Sequence, residues 1–369
     1  MRLGRVDIFR LQMPMVMPFE TSFGREDTKD FLLVEASDGV TSGFGECTAS
    51  SGPFYSEEAT ETALWVLRTH LLPRLAGDLD GPDDARRRMA GVRGNPMAKS
   101  AIETALWDLT ARREGVSLAA LLGGTKREVP VGISIGIQAS AQALVEQIHQ
   151  RLAQGYQRIK IKIKPGYDLE VIEAVRRELP EVPLMADANS AYTLADQDRL
   201  AALDQFGLMM IEQPLAHDDL VDHAKLQARL ATPICLDESI RSAHTLEQAA
   251  ELGALRIVNI KIGRLGGLGE ALDTVRAAHR LGIGVWCGGM LESGVGRALN
   301  VAISSLSAFT LPGDTAATAR YFREDIADPP FVLTASGCLA VPTAPGLGVE
   351  VVPERLARYT IDHSVWTPE

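Results

Sequence analysis

The pattern of apolar and polar positions changes near residue 125. Before it, short β-like runs at residues 31–35 and 43–46 alternate with glycine-containing turns, and helical patterns begin near residue 57. Within residues 97–113, Ala101, Ala105 and Leu109 recur at helical spacing, and two glycines at 123 and 124 follow. A small α+β domain is therefore predicted over residues 1–125.

Residues 126–322 instead alternate β-branched or apolar runs with helical stretches, which is typical of βαβ units on a parallel sheet. Eight such strands favour a closed (β/α) barrel over an open sheet. The strands are expected at residues 129–135, 158–163, 183–187, 208–212, 233–237, 256–261, 284–287 and 309–311. Helices between them are expected at residues 139–153, 168–179, 194–206 and 270–281.

The last segment, residues 323–369, has prolines at 329, 330, 342, 345 and 353 and no further βα repeat, so we expect it to pack back on the first domain. The predicted fold class is α/β, with a barrel of the TIM type and an N-terminal α+β domain completed by the C-terminal tail. A length of 369 residues agrees with more than one core.

Composition narrows the functional class. The net charge of -11 argues against nucleic acid as a partner, because such proteins concentrate lysine and arginine on one face. No apolar run is long enough for a membrane helix and the first residues lack the core of a signal peptide, so a cytoplasmic location is expected. Four widely separated cysteines are expected to be buried thiols.

Charged residues recur where the candidate strands end. They are Lys162, Asp187, Glu212, Asp237 and Lys261, spaced by 25, 25, 25 and 24 residues. One strand, one helix and two loops of a barrel need about that length, so each step advances one strand and reaches the same face. All five side chains are expected to converge.

Three carboxylates crowded at adjacent strand ends would repel one another without a cation. An all-oxygen anionic site suits Mg²⁺, with Mn²⁺ as a substitute. The alternative is that each carboxylate caps the helix after its strand, but the even spacing of Asp187, Glu212 and Asp237 favours the metal.

The lysines suggest proton transfer. Strict alternation places Lys160, Lys162 and Lys164 on one face of a strand, either toward the barrel interior or as a solvated edge. Lys261 ends a strand on the opposite side of the ring, so two ammonium groups flank the carboxylates. Mutual repulsion and burial would lower the pKa of these lysines and favour removal of a proton α to a substrate carboxylate. The glycines of residues 263–269 do not complete a dinucleotide motif and predict a tight loop entering a helix.

Local segments at these positions resemble a known family. Residues 187–189 (Asp-Ala-Asn), 211–214 (Ile-Glu-Gln-Pro) and 236–239 (Leu-Asp-Glu-Ser) resemble the muconate lactonising subgroup of the enolase superfamily. Residues 286–294 (Trp-Cys-Gly-Gly-Met-Leu-Glu-Ser-Gly) and 311–315 (Leu-Pro-Gly-Asp-Thr) are similar to its o-succinylbenzoate synthase and N-succinylamino acid racemase family. The resemblance implies a modified (β/α)₇β barrel with a capping domain.

The resemblance also implies residue roles. Asp187, Glu212 and Asp237 would hold Mg²⁺, and Lys162 and Lys261 would be the acid/base groups. The succinyl part of a substrate would contact Ser134 and the loop of Gly289, Met290 and Leu291, whose backbone amides could bind an amide oxygen. A capping loop would include Phe19, Thr21, Ser22 and Phe23, with Tyr55 on a second loop; aromatic contacts between the domains are the alternative role. Lys160 and Asn189 would belong to the substrate-binding site and support the metal ligands and Lys162. Arg264 and Glu238 would be further supporting positions, and Lys164 departs from the acidic residue of some relatives.

The implied activity is dehydration of 2-succinyl-6-hydroxy-2,4-cyclohexadiene-1-carboxylate in menaquinone biosynthesis, together with racemisation of N-succinylamino acids. Dipeptide epimerisation and muconate cycloisomerisation would use the same five residues. A carboxylate-binding barrel without turnover is the non-enzymatic alternative. The resemblance further implies a homo-oligomer, with an octamer as one form.

Overall fold

The N-terminal part of the computed structural model, which describes residues 1–20 and 24–368, is an antiparallel sheet covered by helices. The long helix α3 packs closely on strand β3, because a Cβ on Gly43 or Gly45 would overlap the α3 backbone. The elements are β1 (Arg5–Glu20), β2 (Arg25–Ser37), β3 (Ser42–Cys47), α1 (Thr60–Val66), α2 (Pro82–Met89), α3 (Pro96–Glu114) and α4 (Leu118–Leu121).

The second part is a curled parallel sheet wrapped by helices, as predicted. Its seven strands β5 to β11 lie in sequence order, each beside its neighbour along the chain. The strands are β4 (Glu128–Pro130), β5 (Ile133–Ile135), β6 (Ile159–Lys162), β7 (Leu184–Asp187), β8 (Ile211–Glu212), β9 (Ile234–Leu236), β10 (Ile257–Ile260) and β11 (Gly284–Cys287). The helices are α5 (Ala141–Ala153), α6 (Leu169–Glu178), α7 (Gln197–Ala201), α8 (Val221–Arg229), α9 (Ala243–Leu252), α10 (Ile262–Leu265), α11 (Leu268–Leu281) and α12 (Gly294–Ser304).

The eighth strand position is where the prediction is wrong. Residues 309–311 form no strand, and the ring is joined instead by a single parallel bridge between Val131 and Gly313. Pro312 has no N–H to donate to a ladder, which interrupts pairing at this point. Gly313 lies so close to strand β11 that a Cβ there would meet the Cys287 carbonyl oxygen at 2.8 Å.

Two other predicted elements are divided. Residues 129–135 form two short strands, because β4 pairs with the tail while β5 joins the barrel. Residues 194–206 contain only one turn of α-helix between two 3₁₀ turns. Predicted strands and helices elsewhere in the barrel agree with the structure within a few residues.

The tail returns to the first domain, as expected. Its last strand pairs antiparallel with β1 and so becomes the edge of the N-terminal sheet. The tail elements are β12 (Ala327–Asp328), β13 (Cys338–Ala340), β14 (Glu350–Val351), α13 (Pro353–Tyr359) and β15 (Thr360–Trp366). Domain boundaries at residues 125 and 322 stay predictions.

The four cysteines are free and buried, in agreement with the sequence. Among the helices of the described chain, none combines the length and the apolar character needed to cross a membrane.

A buried glutamate of the N-terminal domain caps a barrel helix. Glu103 of α3 is fully buried and accepts hydrogen bonds from the backbone N–H groups of Leu268 and Gly269, each at 2.8 Å, where α11 begins. Trp107 Nε1 donates to the same carboxyl group at 2.9 Å. Because the first N–H groups of a helix lack partners within it, this contact joins the two domains at a point that needs an acceptor.

Replacing this cap should destabilise the protein. In Glu103→Ala, two buried N–H groups lose their acceptor, and we expect the free energy of unfolding to fall by about 2–3 kcal/mol. Urea denaturation would measure the loss. The control is Glu114→Ala, at the exposed end of the same helix, which should change stability by less than about 0.5 kcal/mol. Equal stability of the two variants would contradict the assigned role of Glu103.

Candidate active site

The five charged residues predicted from their spacing meet at the carboxyl end of the parallel sheet. Lys162 on β6 is in register with Asp187 on β7, which is in register with Glu212 on β8. Asp237 and Lys261 directly follow β9 and β10. All five side chains are buried, so the predicted convergence at one end of the barrel is confirmed.

An apolar layer lies beneath them inside the barrel. Side chains point alternately inward and outward along a strand, so the residues two positions before the carboxylates also face the interior. They form one cluster with residues of β10 and β11. Its buried members are Met185, Met210, Cys235, Ile257 and Trp286. This layer closes the barrel below the site and excludes water from the carboxylates above it.

One flank of the site is built around Lys162. Its ammonium group lies 2.6 Å from Asp187 Oδ2 and donates to Asn189 Oδ1 at 2.6 Å. Asn189 in turn donates from Nδ2 to Glu238 Oε1 at 3.1 Å. Asn189 has φ +42°, a left-handed backbone conformation that asparagine adopts more readily than most residues and that turns the chain back over Asp187. These contacts connect Lys162 to Glu238 through Asn189, and the supporting roles of Asn189 and Glu238 stay predictions.

The opposite flank is built around Lys261. Its ammonium group lies 2.7 Å from Asp237 Oδ2 and donates to the Tyr55 hydroxyl at 3.1 Å. Nζ also lies 4.4 Å from the centre of the Tyr55 ring. Arg264 pairs with the second oxygen of Asp237, so that carboxylate is held from both sides. Strands β7, β8 and β9 separate the two lysines, as the sequence predicted.

Lys160 lies deeper, between the two flanks. Its ammonium group contacts Glu212 Oε2 at 3.0 Å, Asp187 Oδ2 at 3.3 Å and Asp314 Oδ2 at 2.6 Å. It also lies 4.9 Å from the ring centre of Trp286. Two of these carboxylates, Asp187 and Glu212, are predicted metal ligands. Lys160 therefore partly neutralises their negative charge at the base of the cavity, in addition to any contact with a substrate.

Several residues of this network are not among the site residues predicted from the sequence. Asp314 also contacts Arg158 Nη1 at 2.7 Å, and Asn259 donates to Glu212 Oε1 at 2.7 Å. The alternation that identified Lys160 also places Arg158 on the same face, and Asn259 likewise precedes Lys261 by two residues. Asp314 lies in the segment that closes the ring, and only the resemblance of residues 311–315 pointed to it.

Lys164 does not join Lys160 and Lys162, so the expectation that all three lysines share one strand face is wrong. Strand β6 ends at Lys162, and Lys164 instead forms a bridge with Tyr167 in the following turn. Pro165 and Gly166 stop the strand, because proline lacks an N–H and Gly166 takes a positive φ of 83°.

Charge pairing sets the protonation of the site. Burial would raise the pKa of Asp187, but Lys162 and Lys160 hold that pKa well below its usual range. Burial raises the pKa of Glu212 to about 7, and the negative charge of Asp187 adds to the effect. Burial likewise raises the pKa of Glu238 to about 8, with a contribution from Asp237.

The lysine pKa shift differs from the prediction. Burial would lower the pKa of Lys261, but Asp237 outweighs it and raises that pKa above its usual value. The pKa of Lys160 is raised for the same reason, because the negative charges of Asp314 and Glu212 outweigh the effect of burial. Direct contact with carboxylates therefore dominates over repulsion between the ammonium groups in this arrangement.

A cavity of about 360 Å³ opens above these residues. Lys162, Lys261, Lys160 and Asn189 line its base, and Phe19 and Tyr55 of the N-terminal domain line it from above. Ser134 and the loop Gly289, Met290 and Leu291 also line it. The structure thus brings the predicted substrate-contacting residues to one cavity. Thr21, Ser22 and Phe23 lie outside the described residues.

The Met290 amide is already engaged, so the predicted binding of a ligand oxygen by backbone amides of this loop does not extend to Met290. It donates to Glu292 Oε2 at 2.8 Å, and Glu292 Oε1 accepts from Asn300 Nδ2 at 2.9 Å. Leu291 has φ +61°, so the loop is tightly bent. By contrast, Ser134 Oγ is buried with no hydrogen-bond partner in the described part of the chain, and it remains available for a ligand.

The donor set fits a hard divalent cation. Burial raises the pKa of Glu212 and the negative charge of Asp187 raises it further, so added positive charge would stabilise the ionised carboxylates. As placed, no three His, Cys, Asp or Glu side chains within residues 1–20 and 24–368 form a ready metal cluster. The carboxylates contact ammonium groups instead, with which a cation would compete.

The chain matches known proteins over almost all of its length. Residues 5–123 match the N-terminal domain of the mandelate racemase / muconate lactonizing enzyme family, and residues 143–355 match the enolase C-terminal domain-like family. The o-succinylbenzoate synthase of Geobacillus kaustophilus is 56% identical over 353 residues, which cover 95% of this chain and 94% of that protein.

Two further relatives extend the comparison. The N-succinylamino acid racemase of an Amycolatopsis species is 48% identical over 365 residues, covering 98% of both chains. The crystal structure of an enolase superfamily member from Listeria innocua superposes with a TM-score of 0.97 at 42% identity, covering 100% of both chains. Enzymes of this superfamily typically use a divalent metal ion. With both domain families matched and both relatives covering nearly the whole chain, the protein belongs to the enolase superfamily.

Proposed function

We propose that the protein is an o-succinylbenzoate synthase that also racemises N-succinylamino acids. The observation that carries the proposal is the placement of Lys162 and Lys261 on opposite flanks of three carboxylates, each lysine in contact with a different aspartate. One relative that is an o-succinylbenzoate synthase and another that is an N-succinylamino acid racemase are 56% and 48% identical to this chain. A single cavity with two proton-transfer groups can serve both reactions because both begin with loss of a proton α to a carboxylate.

Asp187, Glu212 and Asp237 would hold the metal ion, for which we propose Mg²⁺, with Mn²⁺ as a substitute. When bound, the cation supplies positive charge that stabilises the enediolate form of a substrate carboxylate. Positive charge beside these carboxylates would weaken the contact of Lys162 with Asp187 and that of Lys261 with Asp237. The lysines then act as bases more readily.

In the synthase reaction, Lys162 takes the α-proton of 2-succinyl-6-hydroxy-2,4-cyclohexadiene-1-carboxylate. The same ammonium group then donates that proton to the departing hydroxyl, which leaves as water, while the ring becomes aromatic. Lys261 stays protonated on the other flank, where it donates to the Tyr55 hydroxyl. Its charge stabilises the developing anion.

In the racemase reaction the lysines alternate as base and acid. One lysine removes the α-proton from its face of the substrate, and the other donates a proton to the opposite face. Asn189 and Tyr55 orient the two Nζ atoms by direct hydrogen bonds. Both lysines are therefore required for inversion.

Removal of metal should stop both reactions. After treatment with EDTA, we expect turnover of the synthase substrate and of N-succinyl-phenylalanine to fall by at least about 10³-fold, since the stabilising charge on the enediolate is lost. Absorbance and circular dichroism would follow the two reactions, and added Mg²⁺ should restore both. Full activity in EDTA would contradict a metal-dependent mechanism.

Inactivity on both substrates with Mg²⁺ present would instead direct the search to dipeptides and muconates. A role in menaquinone biosynthesis and homo-oligomeric assembly, including an octamer, stay predictions. Light scattering after size exclusion would test the assembly.

A further inference from the structure

A buried lysine of the N-terminal domain has no counter-ion in the described chain. Lys29 on β2 is only 1% exposed. Its ammonium group approaches two neutral oxygens, the Thr48 carbonyl at 3.5 Å and Ser50 Oγ at 3.4 Å. Neither contact is short, and no carboxylate within residues 1–20 and 24–368 forms an ion pair with it.

The other buried lysines differ in this respect. Lys160, Lys162 and Lys261 each lie within 2.6–2.7 Å of a carboxylate oxygen. An ammonium group taken out of water without a negative partner is unfavourable, so such groups are normally paired. The unpaired charge of Lys29 therefore indicates a negative group that is not part of the described chain.

Lys29 lines the cavity that also contains the two catalytic lysines. Ser50, which lines the same cavity, is held in place because its carbonyl oxygen accepts from Thr60 N at 2.9 Å and from Thr60 Oγ1 at 3.0 Å. Its hydroxyl oxygen faces Lys29, which leaves the O–H able to donate to a ligand. An ammonium and a hydroxyl donor thus stand together in the part of the cavity that the N-terminal domain supplies.

We propose that Lys29, with Ser50, binds the distal carboxylate of the succinyl group. This inference rests on the proposed function, whose two substrates each carry one carboxylate at the reacting carbon and a second at the end of the succinyl chain. The reacting carboxylate belongs with the metal ligands at the barrel end. The second is the anion that Lys29 lacks, so Lys29 is a determinant of the preference for succinyl over neutral acyl groups.

The test changes the charge on each side of the contact separately. Racemisation of N-succinyl-phenylalanine, its terminal amide (N-succinamoyl-phenylalanine) and N-acetyl-phenylalanine would be measured with wild type, Lys29→Met and Lys29→Arg. Methionine keeps the unbranched stem without the charge. We expect kcat/KM for the succinyl substrate to fall by at least about 30-fold in Lys29→Met, mainly through KM, while the two neutral substrates change by less than about threefold.

Lys29→Arg should retain the succinyl preference, because it keeps the charge. Thermal unfolding should show Lys29→Met to be at least as stable as wild type, since an unpaired buried charge is removed. Equal losses on all three substrates, or a lowered melting temperature with unchanged selectivity, would show a structural role for Lys29 and overturn the inference. A wild type that acts on none of the three would instead refute the proposed racemase activity, so the two failures are distinguishable.

Discussion

Lys162→Met is expected to lower kcat for the synthase reaction by about 10⁴-fold and to abolish net racemisation. Methionine fills the same space but cannot accept or donate a proton. In the wild type the Lys162 ammonium lies 2.6 Å from both Asp187 Oδ2 and Asn189 Oδ1, so it is held at the base of the cavity where the α-proton must be taken. Steady-state kinetics on both substrates with saturating Mg²⁺ would measure the loss.

The matched control is Lys164→Met, two residues further along the chain. Lys164 lies in the turn after β6, away from the cavity lining, and its replacement should change either rate by less than about twofold. Metal binding by the Lys162→Met protein should be retained, because the three carboxylates are intact. Synthase activity within tenfold of wild type in Lys162→Met would rule out Lys162 as the base.

The residues at the strand ends could be predicted because barrel geometry is periodic. A strand, a helix and two loops repeat at about 25 residues, so a charged residue at each repeat reaches the same end of the sheet. Burial on both sides of a parallel sheet makes such charges expensive, and their recurrence at Asp187, Glu212 and Asp237 therefore indicates a site rather than chance. The same period-two alternation would also have identified Arg158 and Asn259.

Other features depend on contacts between distant segments, which local patterns do not record. Asp314 reaches Lys160 and Arg158 only because Pro312 and Gly313 join the ring without a regular strand. Apolar character alone favoured residues 309–311 for that strand. The bond from the Met290 amide to Glu292 depends on the bend at Leu291, which no residue-type preference predicts.

The predicted direction of the Lys261 pKa shift is wrong for a related reason. The sequence shows how many ammonium groups approach one another but not which carboxylate oxygen each one contacts. In the structure the Lys261–Asp237 distance of 2.7 Å outweighs both burial and the more distant lysine. Charge interactions fall with distance, so the nearest pair decides the sign of the shift.

Lys261→Met is expected to abolish racemisation in both directions but to leave one half-reaction intact. Inversion needs a proton donor on each face, whereas removal and return of a proton on one face needs only Lys162. In deuterium oxide, one enantiomer of N-succinyl-phenylalanine should therefore still exchange its α-proton without inverting. Lys162→Met should show the mirror pattern, with exchange of the other enantiomer, and NMR would follow both.

The synthase reaction provides the complementary readout for Lys261→Met. Because Lys261 stabilises the anion without transferring a proton in that reaction, we expect a loss of about 10²-fold rather than the 10⁴-fold loss of Lys162→Met. Asp237 keeps its contact with Arg264, so the variant should fold with a melting temperature close to that of wild type. Exchange of both enantiomers in Lys261→Met would mean that Lys162 reaches both faces, and the assignment of one lysine to each face would then be wrong. Equal losses of synthase activity in the two variants would make Lys261 a proton-transfer group in that reaction as well.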